Sequence, residues 1–230
     1  MIKAVLFDLD NTLIDFMKMK KVCSEEAISE MIDAGLPVSK TKGVKILFNL
    51  YKKYGIENQK IFQEFLKKVM GRVDNKILAK GISAYRRVKI GFLRPYPNVK
   101  STLIKLKSKG LKLGIVSDAP ELQGWIRLAD IGMIHFFDLV LTLSETKERK
   151  PSRKPFELAI RKLKLKPQEI LFVGENPERD IRGAKSVGMK TVLALYGLDY
   201  ETKPIKIKPD YKINDISEIL KIIEREKNES

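Results

Sequence analysis

The stretch KAVLFDLDNTL, residues 3–13, decides how the rest of the chain is interpreted. Its first five residues form a short, mostly apolar run, which is typical of a strand buried on both faces of a parallel sheet. Asp8 and Asp10 follow where that strand gives way to a loop. An ionised carboxylate at the edge of a core must be paired, hydrogen-bonded or bound to a cation. A plain turn is the alternative, because Asp-x-Asp-Asn is rich in residues that bond their own backbone.

The composition describes a soluble globular protein. With 43% hydrophobic and 32% charged residues, the 230-residue chain can bury a full core. Its apolar runs are too short to span a membrane, and the immediate start of a strand leaves no room for a signal peptide. The single cysteine, Cys23, cannot form an internal disulfide, so we expect a cytoplasmic protein.

The histidine count and the charge exclude or weaken two classes of function. One histidine, His135, and one cysteine cannot form a His/Cys zinc site or a catalytic cysteine–histidine dyad. The net charge of +16 suggests nucleic-acid binding. However, the lysines are scattered among glutamates and no nucleic-acid-binding motif is present. Abundant Lys and Glu also fit the surface of a thermophile's protein, which is the interpretation we favour.

Four helical patterns follow the acidic stretch with no strand between them. Apolar residues recur at helical spacing in residues 16–34, 40–54, 61–70 and 75–89. Such a run predicts a small helical bundle. The bundle interrupts the sheet between its first and second strands, so we predict an inserted helical cap domain over residues 16–93. Residues 16–92 hold 17 Lys and Arg against 7 Asp and Glu, a net +10 that would attract anionic substrates.

From residue 94 onward, predicted strands alternate with predicted helices. The strands are at 111–116, 138–143, 170–173, 191–195 and 210–213, and the helices at 99–109, 122–131, 154–165, 178–187 and 216–226. This alternation predicts an α/β fold with a doubly wound, Rossmann-like parallel sheet. We assign residues 1–15 and 94–230 to that core domain.

Polar side chains follow the ends of the predicted strands. In chain order they are Asp8, Asp10, Ser117, Asp118, Lys150, Glu175 and Asp180. Because the carboxyl ends of parallel strands meet at one edge of the sheet, we expect these side chains to lie together. Carboxylates suit a divalent cation, whereas a hydroxyl, backbone N–H groups and a lysine suit a phosphate.

These residues resemble the motifs of the haloacid dehalogenase-like (HAD) hydrolase superfamily, in a phosphatase-type member with a helical cap after the first motif. The four matching motifs are Asp8-Leu9-Asp10-Asn11-Thr12, Ser117, Lys150-Pro151 and Gly174-Glu175 with Asp180. The resemblance covers residues 1–15 and about 94–213. Each motif is weak by itself, but together they occur in the family's order behind the expected strands.

The resemblance implies a role for each carboxylate of the first motif. Asp8 would be the nucleophile that forms an aspartyl-phosphate. Asp10 would protonate the leaving oxygen and then activate the water that hydrolyses the intermediate. Dehalogenases of the superfamily lack the second aspartate, so Asp10 favours phosphoryl transfer.

The resemblance also implies a ligand set, with several alternatives open. Mg²⁺ would be held by Asp8, Asp10 (through its carbonyl), Glu175 and Asp180, and phosphate by Ser117, Lys150, Leu9 and Asp118, the last as a supporting partner. Glu175 stands where the family more often has Asp, so either Glu175 or Asp180 is the direct ligand. Lys147 and Lys154 are rivals of Lys150, and Ser117 also suits the cap of the next helix.

The charges of the predicted site explain the need for a cation. If Asp8, Asp10, Glu175 and Asp180 are ionised they carry −4; protonating Asp10 and adding Lys150 leaves −2 facing a phosphate dianion. The predicted function is therefore a Mg²⁺-dependent phosphatase of a small phosphorylated metabolite, working as a monomer or homodimer. A phosphomutase is the nearest alternative. A non-catalytic binding protein and a basic nucleic-acid-binding protein are alternatives from other classes.

Overall fold

The computed structural model describes residues 1–198 and 207–228. Contacts between residues divide the chain into two compact units. The first, Met1–Asp15 with Arg94–Ser230, is called the sheet unit here, and the second, Phe16–Leu93, the helical unit. Residues 199–206 and 229–230, which the sequence analysis assigns to the core domain, lie outside the described residues. Among the helices that are described, none is both long enough and apolar enough to cross a bilayer.

The sheet unit is built on parallel strands whose order places the first strand in the middle. The described strands are β1 (Ala4–Phe7), β2 (Lys112–Val116), β3 (Leu139–Leu141), β4 (Ile170–Gly174), β5 (Lys190–Ala194) and β6 (Tyr211–Ile213). Their order is β3-β2-β1-β4-β5-β6. Phe7 at the end of β1 is level with Ile115 of β2 and Val173 of β4. The predicted doubly wound α/β sheet is confirmed.

The helical unit contains the four helices that the apolar periodicity predicts. They are α1 (Phe16–Asp33), α2 (Lys40–Tyr54), α3 (Ile61–Met70) and α4 (Asn75–Phe92). Side chains such as Met31, Leu47 and Phe65 are fully or almost fully buried in its own apolar core. The Asp74 side chain caps α4 by accepting hydrogen bonds from two backbone N–H groups of its first turn.

Six further α-helices belong to the described residues of the sheet unit. They are α5 (Val99–Ser108), α6 (Glu121–Asp130), α7 (Leu143–Thr146), α8 (Arg153–Leu163), α9 (Arg182–Ser186) and α10 (Ile219–Asn228). The short α7 was not predicted, because four residues are too few to show a helical period. The rings of Phe156 on α8 and Phe172 on β4 meet edge to face at 5.0 Å in one of the apolar clusters of this unit.

The predicted helix over 178–187 has a different form. Pro177–Ile181 makes one turn of π-helix, in which the Arg182 N–H donates to the Pro177 carbonyl, and only then does α9 begin. The Asn176 side chain caps this turn by accepting from the N–H groups of Glu178 and Arg179. Such wide turns are frequent at functional sites, and sequence periodicity does not distinguish them from an α-helix.

The segments that lead into and out of the helical unit run side by side on the sheet unit. Ile14 and Pro95 form an antiparallel bridge. The Asp15 N–H donates to the Arg94 carbonyl at 3.4 Å, and the Tyr96 N–H donates to the Leu13 carbonyl at 2.9 Å. The insertion therefore begins and ends at neighbouring points of the sheet unit.

Candidate active site

Asp8 is positioned by a direct extension of β1. Its N–H continues the ladder by donating to the Val173 carbonyl at 2.9 Å, so its side chain stands at the carboxyl end of the central strand. The residue is 2% exposed. Asp8 Oδ1 lies 2.7 Å from Lys150 Nζ, and Oδ2 accepts from Arg179 Nη2 at 2.9 Å. Both oxygens of the predicted nucleophile are therefore paired with cations.

The loop after Asp8 is locked to the loops that follow β4 and β5. Asn11 has a φ of 60°, a left-handed conformation that asparagine tolerates better than most residues. Thr12 Oγ1 donates to Glu175 Oε2 at 2.9 Å. A Cβ added to Gly197 would lie 1.7 Å from the Asn11 carbonyl oxygen and 3.0 Å from the Glu175 Cβ. Only glycine permits this approach, which brings the three loops into contact.

Lys150 is the lysine that reaches the acidic cluster. Its Nζ lies 2.7 Å from Asp8 Oδ1 and 2.7 Å from Asp180 Oδ1, and it donates to the Val116 carbonyl at 3.0 Å. Burial alone would lower the lysine pKa, but Asp180 and Asp8 outweigh it and raise that pKa. Lys150 therefore carries a positive charge although it is 4% exposed.

The two rivals of Lys150 lie on the surface. Lys147 is exposed, and Lys154 is exposed and pairs with Glu148 at 3.3 Å. Among the three lysines that the sequence left open, the structure brings only Lys150 to Asp8.

The predicted metal-binding acids of the fourth motif are buried and held by the loop itself. Asp180 Oδ2 accepts from the Asn176 N–H at 3.0 Å. A Cβ on Gly174 would come within 2.5 Å of the Asp180 Cβ, so the strand end also needs glycine. Burial, reinforced by the charges of Asp180 and Asp8, raises the pKa of Glu175 well above its usual range. A raised pKa means that the ionised form is disfavoured, and a cation bound nearby would favour that form.

The acidic cluster fits a divalent cation. One carboxylate oxygen from each of Asp8, Glu175 and Asp180 can be chosen so that all three lie within 4.8 Å of one another, and all three residues are buried. Hard divalent ions such as Mg²⁺ prefer oxygen ligands of this kind. Glu175 and Asp180 both belong to the cluster, so the alternative between them stays open. The Asp10 side chain is not part of this cluster, and the contribution of its carbonyl stays a prediction.

Asp10 faces an arginine that the sequence analysis did not single out. Asp10 Oδ2 lies 3.2 Å from Nη1 of Arg127, a residue of α6 that is 4% exposed. A charged residue in an amphipathic helix normally indicates the solvent face, so periodicity gave no signal for a buried arginine. Arg127 gives Asp10 a fixed, positively charged neighbour.

A second unforeseen arginine, Arg179, lies within the fourth motif. Its Nη2 donates to Asp8 Oδ2 at 2.9 Å and to Glu175 Oε1 at 2.8 Å. Burial alone would raise the pKa of Asp8, but Lys150 and Arg179 outweigh it and hold that pKa below its usual range. The sequence does contain an indication of this contact, because Arg179 is four residues after Glu175 and next to Asp180. The charge count made from the sequence omitted this cation.

Ser117 stands at the end of β2, next to the central strand. Its N–H donates to the Leu141 carbonyl at 2.9 Å and its Oγ accepts from the Ala119 N–H at 3.1 Å. The following helix begins at Glu121 with Pro120 at its cap position, so the interpretation of Ser117 as a helix cap is wrong. Its hydroxyl instead shapes the turn that follows β2.

Asp118 and Leu9 occupy supporting positions. Asp118 Oδ1 accepts from the backbone N–H of Lys150 at 3.0 Å, and burial raises the pKa of this carboxyl. This contact fixes the loop that carries the lysine. Leu9 has a buried side chain, and its carbonyl accepts from the Leu13 N–H at 3.0 Å.

Comparison with known proteins points to one family. The model of the family described as "Haloacid dehalogenase-like hydrolase" matches residues 5–194. The chain is 37% identical over 229 residues to a glyceraldehyde 3-phosphate phosphatase of Methanocaldococcus jannaschii, with 100% of both chains covered. It is 35% identical to the protein of the same name from Pyrococcus furiosus, with 98% of this chain and 94% of that protein covered.

A solved structure gives the same result for the fold. The crystal structure of a HAD phosphatase from Thermococcus onnurineus is similar with a TM-score of 0.70 and 27% sequence identity. The similarity covers 96% of this chain and 98% of that one.

Proposed function

We propose that this chain, which belongs to the haloacid dehalogenase-like hydrolase family, is a Mg²⁺-dependent phosphatase that acts through an aspartyl-phosphate on Asp8. One observation carries the proposal: Asp8 meets Lys150 at 2.7 Å and shares a cluster with Glu175 and Asp180 at the carboxyl edge of the sheet. This edge is where parallel α/β folds place their ligands.

Asp8 is suited to act as the nucleophile. Lys150 and Arg179 outweigh the effect of burial and lower its pKa, so the carboxylate is ionised at neutral pH. Its backbone is fixed by the β1–β4 ladder, which restricts the direction from which its oxygens can reach a phosphorus atom. Attack would transfer the phosphoryl group to Asp8, and water would later release it.

Asp10 is suited to transfer protons in both steps. It is two residues from the nucleophile, and its side chain is 22% exposed, so a substrate oxygen or a water can reach it. It would donate a proton to the leaving oxygen and then accept one from the attacking water. Arg127 would act as a positioning residue by holding Asp10 Oδ2.

Asp8, Glu175 and Asp180, with the carbonyl of Asp10, would hold the Mg²⁺ ion. Bound there, it would neutralise the phosphate and stabilise the charge that develops during transfer. Lys150 and Ser117 are proposed to bind the phosphate oxygens, with the backbone of Leu9 alongside. Asp118 supports them by fixing the Lys150 loop.

Glyceraldehyde 3-phosphate is the first substrate to test, because the two archaeal relatives are named for that activity. Residues 16–93 are proposed to act as the cap domain, and their net +10 supports an anionic substrate. We also propose that the protein is cytoplasmic, that it comes from a thermophile and that it is a monomer or homodimer. A single cysteine supports the first, and relatives from thermophilic archaea support the second.

The test is release of inorganic phosphate from a panel of phosphorylated metabolites, with and without Mg²⁺. We expect turnover of glyceraldehyde 3-phosphate that EDTA stops and Mg²⁺ restores. Asp8→Asn should lower kcat by at least about 10³-fold, as loss of a nucleophile does, while its circular dichroism spectrum stays that of the wild type. Glu157→Gln, an exposed acid of α8, is the matched control.

Three outcomes would contradict the proposal. Wild-type turnover by Asp8→Asn would remove the covalent step. Conversion of a sugar 1-phosphate to its 6-phosphate without phosphate release would indicate the phosphomutase alternative. No turnover, together with DNA or RNA affinity that falls steeply with salt, would favour the nucleic-acid-binding alternative.

A further inference from the structure

We propose that Arg179 is a built-in counter-ion for the acidic cluster, which the divalent ion must displace, so that Arg179 sets how tightly the protein binds metal. The inference rests on the proposed function, because it assumes that the metal binds among Asp8, Glu175 and Asp180. It goes beyond that function by giving a role to a residue outside the predicted ligand set.

The carboxylate oxygens of the cluster all have partners already. Lys150 pairs with Asp8 Oδ1 and Asp180 Oδ1, and backbone N–H or hydroxyl groups pair with Asp180 Oδ2 and Glu175 Oε2. The remaining two oxygens, Asp8 Oδ2 and Glu175 Oε1, both accept from Nη2 of Arg179. A guanidinium therefore bridges two of the three acids that would bind the metal.

Among these partners, Arg179 is the one best able to leave. The Lys150 side chain is 0% exposed and Thr12 is fully buried, so neither can withdraw without disturbing the core. The N–H that holds Asp180 belongs to the backbone. The Arg179 side chain is 33% exposed and therefore borders solvent.

The guanidinium is also held less firmly than its chemistry allows. An arginine binds a carboxylate best through two parallel N–H donors. Here the single atom Nη2 serves two carboxylates, while Nε lies 3.7 Å from Asp180 and 3.8 Å from Asp118 and makes no hydrogen bond within the described residues. The contact supplies charge neutralisation more than directional bonding.

Electrostatics make the guanidinium and a divalent ion competitors. Both neutralise the same two carboxylates, and two cations on neighbouring sites repel each other strongly at the low effective dielectric of a buried pocket. When the metal binds, Arg179 must give up Asp8 and Glu175. That movement would also release Asp8 Oδ2 from the guanidinium. The other oxygen of this proposed nucleophile, Asp8 Oδ1, faces Lys150.

The experiment measures metal binding by the full-length protein without substrate. After metal has been removed with EDTA and dialysis, Mn²⁺ is titrated and the free ion is followed by electron paramagnetic resonance. Mg²⁺ is titrated by calorimetry. Arg179→Gln should bind Mn²⁺ about tenfold more tightly or better, because its competing charge is gone. Arg182→Gln, an exposed arginine three residues away that pairs with Glu178, should stay within about twofold of the wild type.

Thermal unfolding gives a second measurement. Without metal, Arg179→Gln should melt at a lower temperature than the wild type, because three buried carboxylates lose a counter-ion. Adding saturating Mg²⁺ should raise its melting temperature more than that of the wild type. If Arg179→Gln does not fold without metal, Arg179→Lys replaces it. A shorter side chain with one nitrogen bridges the two acids less well, so Mn²⁺ should bind about threefold more tightly.

Unchanged or weaker Mn²⁺ binding by Arg179→Gln, or wild-type affinity in Arg179→Lys, would overturn the inference. If the wild type nevertheless binds Mn²⁺ and hydrolyses phosphate esters, the proposed function survives and only the counter-ion role fails. If the wild type binds neither ion and releases no phosphate, the proposed function and the inference fall together.

Discussion

The sheet unit and the helical unit each bury a lysine, and they stabilise its charge in different ways. Lys150 of the sheet unit is surrounded by oxygens: two carboxylates and a backbone carbonyl. Lys20 of the helical unit lies over aromatic rings, with Nζ 4.6 Å from the Tyr51 centroid and 5.4 Å from that of Tyr85.

The difference in partners suits the two lysines to different roles: Lys150 to the proposed chemistry and Lys20 to the packing of helices. Oxygen partners hold the Lys150 charge at a fixed point beside Asp8, the proposed nucleophile, and offset part of the negative charge of the acids. Ring faces attract a cation less strongly and less directionally than carboxylates do, so a ring-packed lysine mainly joins helices. The following variants test the comparison, beginning with the largest expected effect.

Lys150→Met should destabilise the protein by about 3–5 kcal/mol, since removing one partner of a buried ion pair leaves uncompensated charge. Urea unfolding measures the loss, and phosphate release should become undetectable. Lys154→Met, an exposed lysine on α8, is the control and should stay within about 0.5 kcal/mol of the wild type. Equal stability of the two variants would contradict the role assigned to Lys150.

Gly197→Ala tests the contact between loops in the sheet unit. Its Cβ would overlap the Asn11 carbonyl, so we expect a loss of about 1–3 kcal/mol and weaker catalysis through displacement of the first-motif loop. Gly91→Ala is the matched change in the helical unit, where the new Cβ meets open space within α4. That variant should be neutral or more stable by about 0.5–1 kcal/mol. Similar losses in both variants would refute the distinction.

A variant of Glu226 tests whether a charge pair remote from the predicted site contributes to stability but not to activity. Burial on its own would raise the pKa of Glu226, but hydrogen bonds from Lys190 and Tyr211 outweigh it and lower that pKa. The unfolded state thus binds the proton more readily. This stability is present above pH 4.5 and is lost as pH falls through the lower folded-state value. Glu226→Gln should cost about 2 kcal/mol at pH 7, and the difference should shrink in acid.

The measurement for Glu226 is chemical unfolding between pH 3 and pH 7 in both proteins. Phosphate release at pH 7 and a permissive temperature should be unchanged in Glu226→Gln. A stability difference that is constant with pH would show that the carboxylate charge has no part in it.

Lys20→Met should give the smallest effect, about 1 kcal/mol, because methionine keeps the apolar contact while the attraction between the cation and the rings is lost. Thermal unfolding compares it with Lys21→Met, whose side chain is exposed on the same helix. A loss as large as that of Lys150→Met would mean that both units stabilise buried charge equally.

The sequence predicted what depends on periodicity and on motif spacing. Strands in a buried parallel sheet are short apolar runs, so β1 and β4 were found within a residue or two, and the acids behind them were expected at one edge. The Lys150-Pro151 motif placed Lys150 in the predicted ligand set, with Lys147 and Lys154 as rivals. The strand order, with β1 between β2 and β4, explains why these loops meet.

The unforeseen residues are charged side chains on helices and turns. A charged residue of an amphipathic helix normally faces solvent, yet Lys20 is only 9% exposed and packed on rings. Apolar periodicity in the sequence does not indicate that Arg127 or Arg179 lies beside an acid. A charged side chain is normally expected to be exposed to solvent. Only the three-dimensional structure shows that such a side chain is buried beside a carboxylate.

The antiparallel bridge between Ile14 and Pro95 places the two ends of the helical insertion side by side on the sheet unit. The two crossings leave the sheet unit as neighbours, so a short loop would join residue 15 to residue 94 without stretching the chain. Different insertions could be spliced at this junction while β1 and β2 keep their pairing. Replacing the insert would therefore show whether the proposed cap sets the substrate preference of the proposed site.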